Sequence, residues 1–209
     1  MGIFKGSVTL TRYQVKGKLP PDGADFLDRR IRRFAFRDIE DSAEELSVGW
    51  VSPHDFMDTS FAYASYSLEP YLVLGLRVDR RRVTGPLLKK YHRLEMKKAL
   101  ALEEAPTLSR SRREELKEKA RLDLLTRMPP VSQVYDVCWD TLQGELWLGT
   151  TSKGVVEVFE DLFRRTFELG LKPVLPWSLA LEAAERLKAR QRLEDSGPLN
   201  LEQPEVQGG

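Results

Sequence analysis

One cysteine, Cys138, stands in a chain of 209 residues. That scarcity excludes a disulfide framework and fits a reducing compartment. Cys138 sits inside an apolar run, which predicts a buried, inert thiol. Histidine is nearly as scarce: His54 and His92 are the two, and neither has a companion at ligand spacing. A metal centre needs several converging ligands, so His54 reads as a loop residue and His92 as a helix-surface residue. No apolar run approaches the length of a membrane span. Met1-Gly2-Ile3-Phe4-Lys5 opens without an apolar signal segment. Gly6 stands where a myristoylation site needs Ser or Thr. The expected location is cytoplasmic, with no membrane partner.

The catalytic motifs with a recognisable local signature are also missing. There is no Walker loop, no G-x-G-x-x-G, no C-x-x-C and no H-E-x-x-H. The expectation is a chain with no catalytic residues, no metal and no cofactor. Carboxylates do cluster, as Glu40-Asp41 with Glu44-Glu45 and as Glu157 with Glu160-Asp161. A two-metal nuclease would need such groups to converge on one spot, whereas these runs read as ordinary helix surface.

What the chain does have is an uneven distribution of charge. The net charge is +1, yet residues 77–128 hold sixteen Lys and Arg against eight Asp and Glu, which makes that segment +8 and the remainder −7. Polyanions are the usual partners of such a patch.

Periodicity and punctuation place the segment in a fold. Residues 3–15 read as a strand, 22–36 as a helix begun at Pro20-Pro21-Asp22-Gly23, and Ser47–Val51 as a short strand before a loop over 53–60. The polar side of the 22–36 helix carries Arg29, Arg30, Arg33 and Arg37. Tyr71–Val78 alternates as a strand, with a further strand near 61–67. Thr84-Gly85-Pro86 opens a helix to about residue 104, and Ser109 or Ser111 caps a second to about 127, before Pro129-Pro130. Ser132–Trp139 and Glu145–Thr150 follow as a hairpin. A helix capped by Ser152 runs to Leu169 with Gly170 as its stop, then come a strand at Pro173–Pro176 and an amphipathic helix over 178–193. Residues 194–209 are polar and rich in Pro and Gly, and read as a disordered tail.

The fold class is therefore α+β: two β-α-β-β-like half-sheets flanking a charged helical hairpin, plus a C-terminal helix. As domains, residues 1–82 and 130–193 form a central α+β body, and 83–129 form the basic hairpin. The four tryptophans, Trp50, Trp139, Trp147 and Trp177, lie in or beside strands and read as core.

Within the hairpin, Lys89, Arg93 and Lys97 recur at i, i+4 and i+8 with Lys90 alongside, opposite Leu87, Leu88, Tyr91 and Leu94. Arg113, Lys117 and Arg121 make a second row beside Leu116, Ala120 and Leu124. Either row suits a phosphate backbone, which asks for charge and reach rather than base-specific geometry. Two other readings stay open. Glu114 with Lys117, Glu118 with Arg121 and Glu115 with Lys119 are also spaced as ordinary helix pairs on a solvated face, and the same surface suits a protein partner.

Gly49-Trp50-Val51-Ser52-Pro53, the helix opened at Pro86, Leu124-Leu125-Thr126-Arg127-Met128-Pro129, Trp139-Asp140, Gly144, Ser152 and the run Leu169 to Pro176 occur in an order and spacing that resemble the RdgC family, over roughly residues 3–178. The resemblance implies a non-enzymatic protein that binds double-stranded DNA with little sequence preference. It implies a ring-shaped homodimer with a basic inner surface, association with the nucleoid, and a functional link to the recombinase RecA, which it would restrain by occupying DNA. The family's motif arginine falls on Arg127, whereas its phenylalanine two positions on is replaced by Pro129. The chain is also shorter than typical members at its C-terminal end. The candidate DNA-binding residues are Lys89, Lys90, Arg93, Lys97, Arg113, Lys117, Arg121 and Arg127.

Overall fold

A ten-residue strand, Tyr71–Arg80, organises the molecule, and all but its first and last residues are buried. Leu72, Leu74, Leu76 and Val78 turn to one face of the sheet; Val73, Gly75, Arg77 and Asp79 turn to the other, as the two-residue period of a strand requires. The computed structural model describes residues 9–104 and 106–196. Its strands are β1 (Thr11–Lys16), β2 (Leu46–Val51), β3 (Ser67–Leu68), β4 (Tyr71–Arg80), β5 (Val131–Asp140), β6 (Glu145–Leu148) and β7 (Gly170–Pro173). Its helices are α1 (Gly23–Arg33), α2 (Gly85–Leu102), α3 (Arg110–Arg127), α4 (Lys153–Phe167), α5 (Pro176–Arg186) and α6 (Arg190–Glu194).

The α+β class is what the structure shows. The strands before and after the helical hairpin meet along β4 and β5, so the two half-sheets are parts of one seven-stranded sheet, in the order β2-β4-β5-β6-β1-β7 with β3 beside β4. β4 and β5 pair antiparallel over their whole length, from Tyr71 opposite Asp140 to Arg80 opposite Val131. The hairpin α2–α3 leaves from the Arg80–Val131 end of this ladder, which gives it a rigid base.

Helix α4 supplies the ridge that packs on the sheet. Phe159, Phe163 and Phe167, at i, i+4 and i+8, are buried with Val155 and Leu162 against Trp50, Trp139, Leu146 and Leu148. The rings meet edge-on: Trp139 lies 5.6 Å from Phe163 and 5.4 Å from Phe167, and Trp50 lies 6.3 Å from Phe159. Each such buried side chain contributes roughly 1.5–3 kcal/mol relative to exposure. The polar edge of Trp50 is also satisfied, since its Nε1 donates to Thr166 Oγ1 at 2.9 Å. Ile31 of α1 enters the same core.

Several expectations change, each for a local reason. Of the strand expected over 3–15, residues 3–8 lie outside the described residues, and β1 begins at Thr11. The strand expected near 61–67 shrinks to β3, because Phe61, Tyr63 and Ala64 have φ of 51°, 55° and 50°, which no strand accommodates. Ser152 sits at the N-cap of α4 but makes no side-chain cap bond. The left-handed stop of α4 is Glu168, with φ 59°, and Gly170 instead opens β7. The strand expected at Pro173–Pro176 lies earlier, at Gly170–Pro173, and Pro176 starts α5, where its missing N–H costs nothing. The helix expected over 178–193 is two helices, parted where Lys188 takes φ 52°. Of the tail expected over 194–209, Glu194 closes α6 and residues 197–209 lie outside the described residues.

Trp50 and Trp139 are core residues as expected, but Trp147 is only half-buried and Trp177 is 54% exposed. Cys138 is half-buried rather than buried, and burial followed by the nearby Asp140 raises its thiol pKa, which keeps it in the unreactive protonated form. The chain divides into two compact units, Met1–Lys172 and Pro173–Gly209, and the hairpin belongs to the first. No helix among the described residues is long and apolar enough to cross a membrane.

Candidate nucleic-acid interface

The hairpin forms because each of its helices has a start and a stop. Pro86 occupies the first turn of α2, and Ser109 caps α3 by accepting from the Arg112 N–H at 3.2 Å. The two helices meet along an apolar seam that α3 fills more than α2, with polar ties beside it. In α3, Leu116, Ala120, Leu124 and Leu125 are buried, whereas in α2 Ala99 alone is. Leu87, Leu88 and Tyr91 are half-buried, and Leu94 is 44% exposed.

Glu95 is the central tie. It accepts from Lys98 of its own helix at 2.7 Å and from Lys119 of α3 at 3.0 Å. Those two cations, Lys98 first, hold its carboxyl below the ordinary value of 4.5. Arg112 binds Glu103 at 2.9 Å and Glu115 at 3.0 Å. His92 lies 3.0 Å from the Arg113 carbonyl, so it bridges the helices rather than lying idle on a surface.

The structure separates the eight candidate residues into two groups. Lys89, Lys90, Arg93 and Lys97 line one shallow groove along α2, together with Pro86, Leu94, Met96 and Leu100. All four are exposed. Among the described residues none of Lys89, Arg93 and Lys97 has an ion-pair partner, and Lys90 lies over the Tyr91 ring at 5.9 Å. The groove also has apolar residues, Leu94, Met96 and Leu100; Met96 and Leu100 lie three residues after Arg93 and Lys97, a helical spacing that the sequence shows.

The α3 candidates are arranged differently. Lys117 pairs with Glu114 at 3.4 Å. Arg121 pairs with Glu45, just before β2, and lies 3.9 Å from Glu118. Arg113 has no side-chain ion pair among the described residues. Arg127, exposed at the end of α3, lines a second groove of about 510 Å³ between the helices, with Lys98, Arg112 and Lys119. Thus the α2 row is collected on one surface, and the α3 residues are spread and half neutralised.

Two of the segment's sixteen cations are not available at its surface. Arg77 and Arg81 are 6% and 4% exposed. Arg77 is bound to Asp79, and Arg81 donates to the carbonyls of Glu40, Ser42 and Glu44, so both hold the fold. Among the described residues, no group of three or more His, Cys, Asp or Glu is placed to hold a metal ion.

A search of curated proteins gives no match. A family model does match, under the description "Putative exonuclease, RdgC", over residues 8–189. That span takes in the sheet, the hairpin and α5, and the chain belongs to the RdgC family.

Proposed function

We propose that this protein is a non-enzymatic, sequence-tolerant binder of double-stranded DNA that modulates recombination. The observation that carries the reading is the α2 row: Lys89, Lys90, Arg93 and Lys97 exposed along one groove, with no carboxylate on Lys89, Arg93 or Lys97 among the described residues. Unpaired cations spaced one helical turn apart match successive phosphates, and phosphate contact carries no sequence information. Membership of the RdgC family supports a place in recombination. In this reading the protein occupies duplex DNA as a homodimer, at the nucleoid, and so restrains a recombinase such as RecA.

The test is a titration of duplex DNA at several salt concentrations, with the solution mass measured alongside. Log affinity should fall linearly with log salt, and Lys89→Glu/Arg93→Glu/Lys97→Glu should weaken binding alike on unrelated sequences. Salt-insensitive binding, or none at low salt, sinks the proposal.

The family description names an exonuclease, and that second reading has its own check. Labelled duplex incubated with magnesium or manganese should remain intact; shortening that disappears on removing a carboxylate cluster would establish hydrolysis instead.

A further inference from the structure

A second group of arginines lies on and after α1, away from the α2 row. Phe34, the residue after α1, has three guanidinium groups about its ring: Arg30 at 5.2 Å, Arg33 at 5.9 Å and Arg165 of α4 at 5.5 Å from the centroid. These residues and Arg37 line a pocket of about 680 Å³ whose one lining carboxylate is Glu44. The ring face attracts cations, which offsets part of their mutual repulsion.

Two of the four arginines are committed elsewhere. Arg30 Nε donates to the Thr166 carbonyl at 2.6 Å near the C-terminal end of α4, and its Nη2 meets Glu168 at 2.8 Å. Arg165 pairs with Asp161 at 3.3 Å. Arg33 and Arg37 are exposed and have no carboxylate partner among the described residues. The main chain at Arg37 is held to β2, because its carbonyl accepts from Ser47 Oγ at 2.5 Å.

We infer that this α1–α4 pocket is a second phosphate-binding site, separate from the α2 row, and that it takes a phosphodiester of the DNA backbone. The inference rests on the DNA-binding reading and extends it to the sheet body. Planar guanidinium forks bind phosphate oxygens in pairs, and two of them unpaired, against the single lining carboxylate of Glu44, leave positive charge that a bound phosphate neutralises. Arg33 and Arg37 make the contact; Arg30 and Arg165, paired with Glu168 and Asp161, form the wall beside it.

The experiment compares the full chain with Arg33→Gln/Arg37→Gln, in duplex-DNA titrations across salt and in calorimetric titrations with tripolyphosphate. Thermal unfolding checks that the variant folds, and the single variants Arg33→Gln and Arg37→Gln replace it if it does not. The expected result is weaker DNA binding on every sequence, with the log–log salt slope smaller by about 1–2, and weakened tripolyphosphate binding. A variant that keeps the wild-type DNA affinity and slope overturns the inference while leaving the α2 reading intact. If the wild type binds no duplex, the DNA reading fails; tripolyphosphate binding lost in the variant would then assign the pocket to free phosphates, and no binding would remove it.

Discussion

Arg77 and Asp79 share one face of β4 and meet through two hydrogen bonds, Nε to Oδ1 at 2.9 Å and Nη2 to Oδ2 at 2.8 Å. Asp79 is fully buried and Arg77 nearly so. The Phe36 ring lies 4.1 Å from the guanidinium carbon, which covers the pair on the outer face of the sheet. A desolvated carboxylate depends on its partner far more than an exposed one does. Arg77→Ala should therefore destabilise the fold by about 3–5 kcal/mol, read as a lower urea midpoint. A loss below 1 kcal/mol would show that water or another cation reaches Asp79.

The approach of β2 to the segment after α1 makes a second prediction. A Cβ on Gly49 would stand 2.4 Å from Phe36 Cα and 2.5 Å from its N, both backbone atoms. The approach is held by Phe36 N–H donating to the Trp50 carbonyl at 2.9 Å and Trp50 N–H donating to the Phe34 carbonyl at 3.1 Å. Gly49→Ala should cost about 1–3 kcal/mol or more through this overlap. Gly85, in the first turn of α2, has no atom beyond its chain neighbours within 4 Å of its would-be Cβ, so Gly85→Ala should cost less than Gly49→Ala, the remaining strain being that of a side chain placed before Pro86. Equal thermal midpoints for the two variants would contradict the packing described.

The unequal pairing of the two helices predicts unequal roles in binding. Reversing Lys89, Arg93 and Lys97 should reduce the log–log salt slope by roughly 3, near one unit per lost phosphate contact. Reversing Arg113, Lys117 and Arg121 should reduce it less, because Lys117 and Arg121 already face Glu114 and Glu45. Slopes that change equally would show that the α3 pairs open on binding.

Glu95 makes the hairpin sensitive to acid. Its folded-state pKa is lowered, so its contribution to stability is fully present above the unfolded value near 4.5 and is lost as pH falls through the folded value. Stability should thus decline as pH drops below about 4.5, and Glu95→Gln should flatten the part of that decline that Glu95 causes. Thermal unfolding of both proteins between pH 3 and 6 checks this; unchanged pH dependence in the variant would mean Glu95 does not tie the helices.

Much of this protein is written in local pattern. Alternation in Tyr71–Val78, the proline at 86, the serine at 109 and the i, i+4, i+8 rows of the hairpin each act within a few residues, so the elements and the exposure of the α2 cations follow from the sequence. The same holds for the absence of a disulfide framework, since a single thiol cannot pair within the chain. Register and partner choice are different, because they depend on residues far apart. Only the tertiary structure joined the strands on either side of the hairpin into one sheet, set Glu45 against Arg121 across 76 positions, and brought Arg165 to the ring of Phe34. A net charge count treats every arginine alike; folding desolvates Arg77 and Arg81 to hold the body and leaves the α2 row to water, and that difference in environment decides which charges remain free to bind.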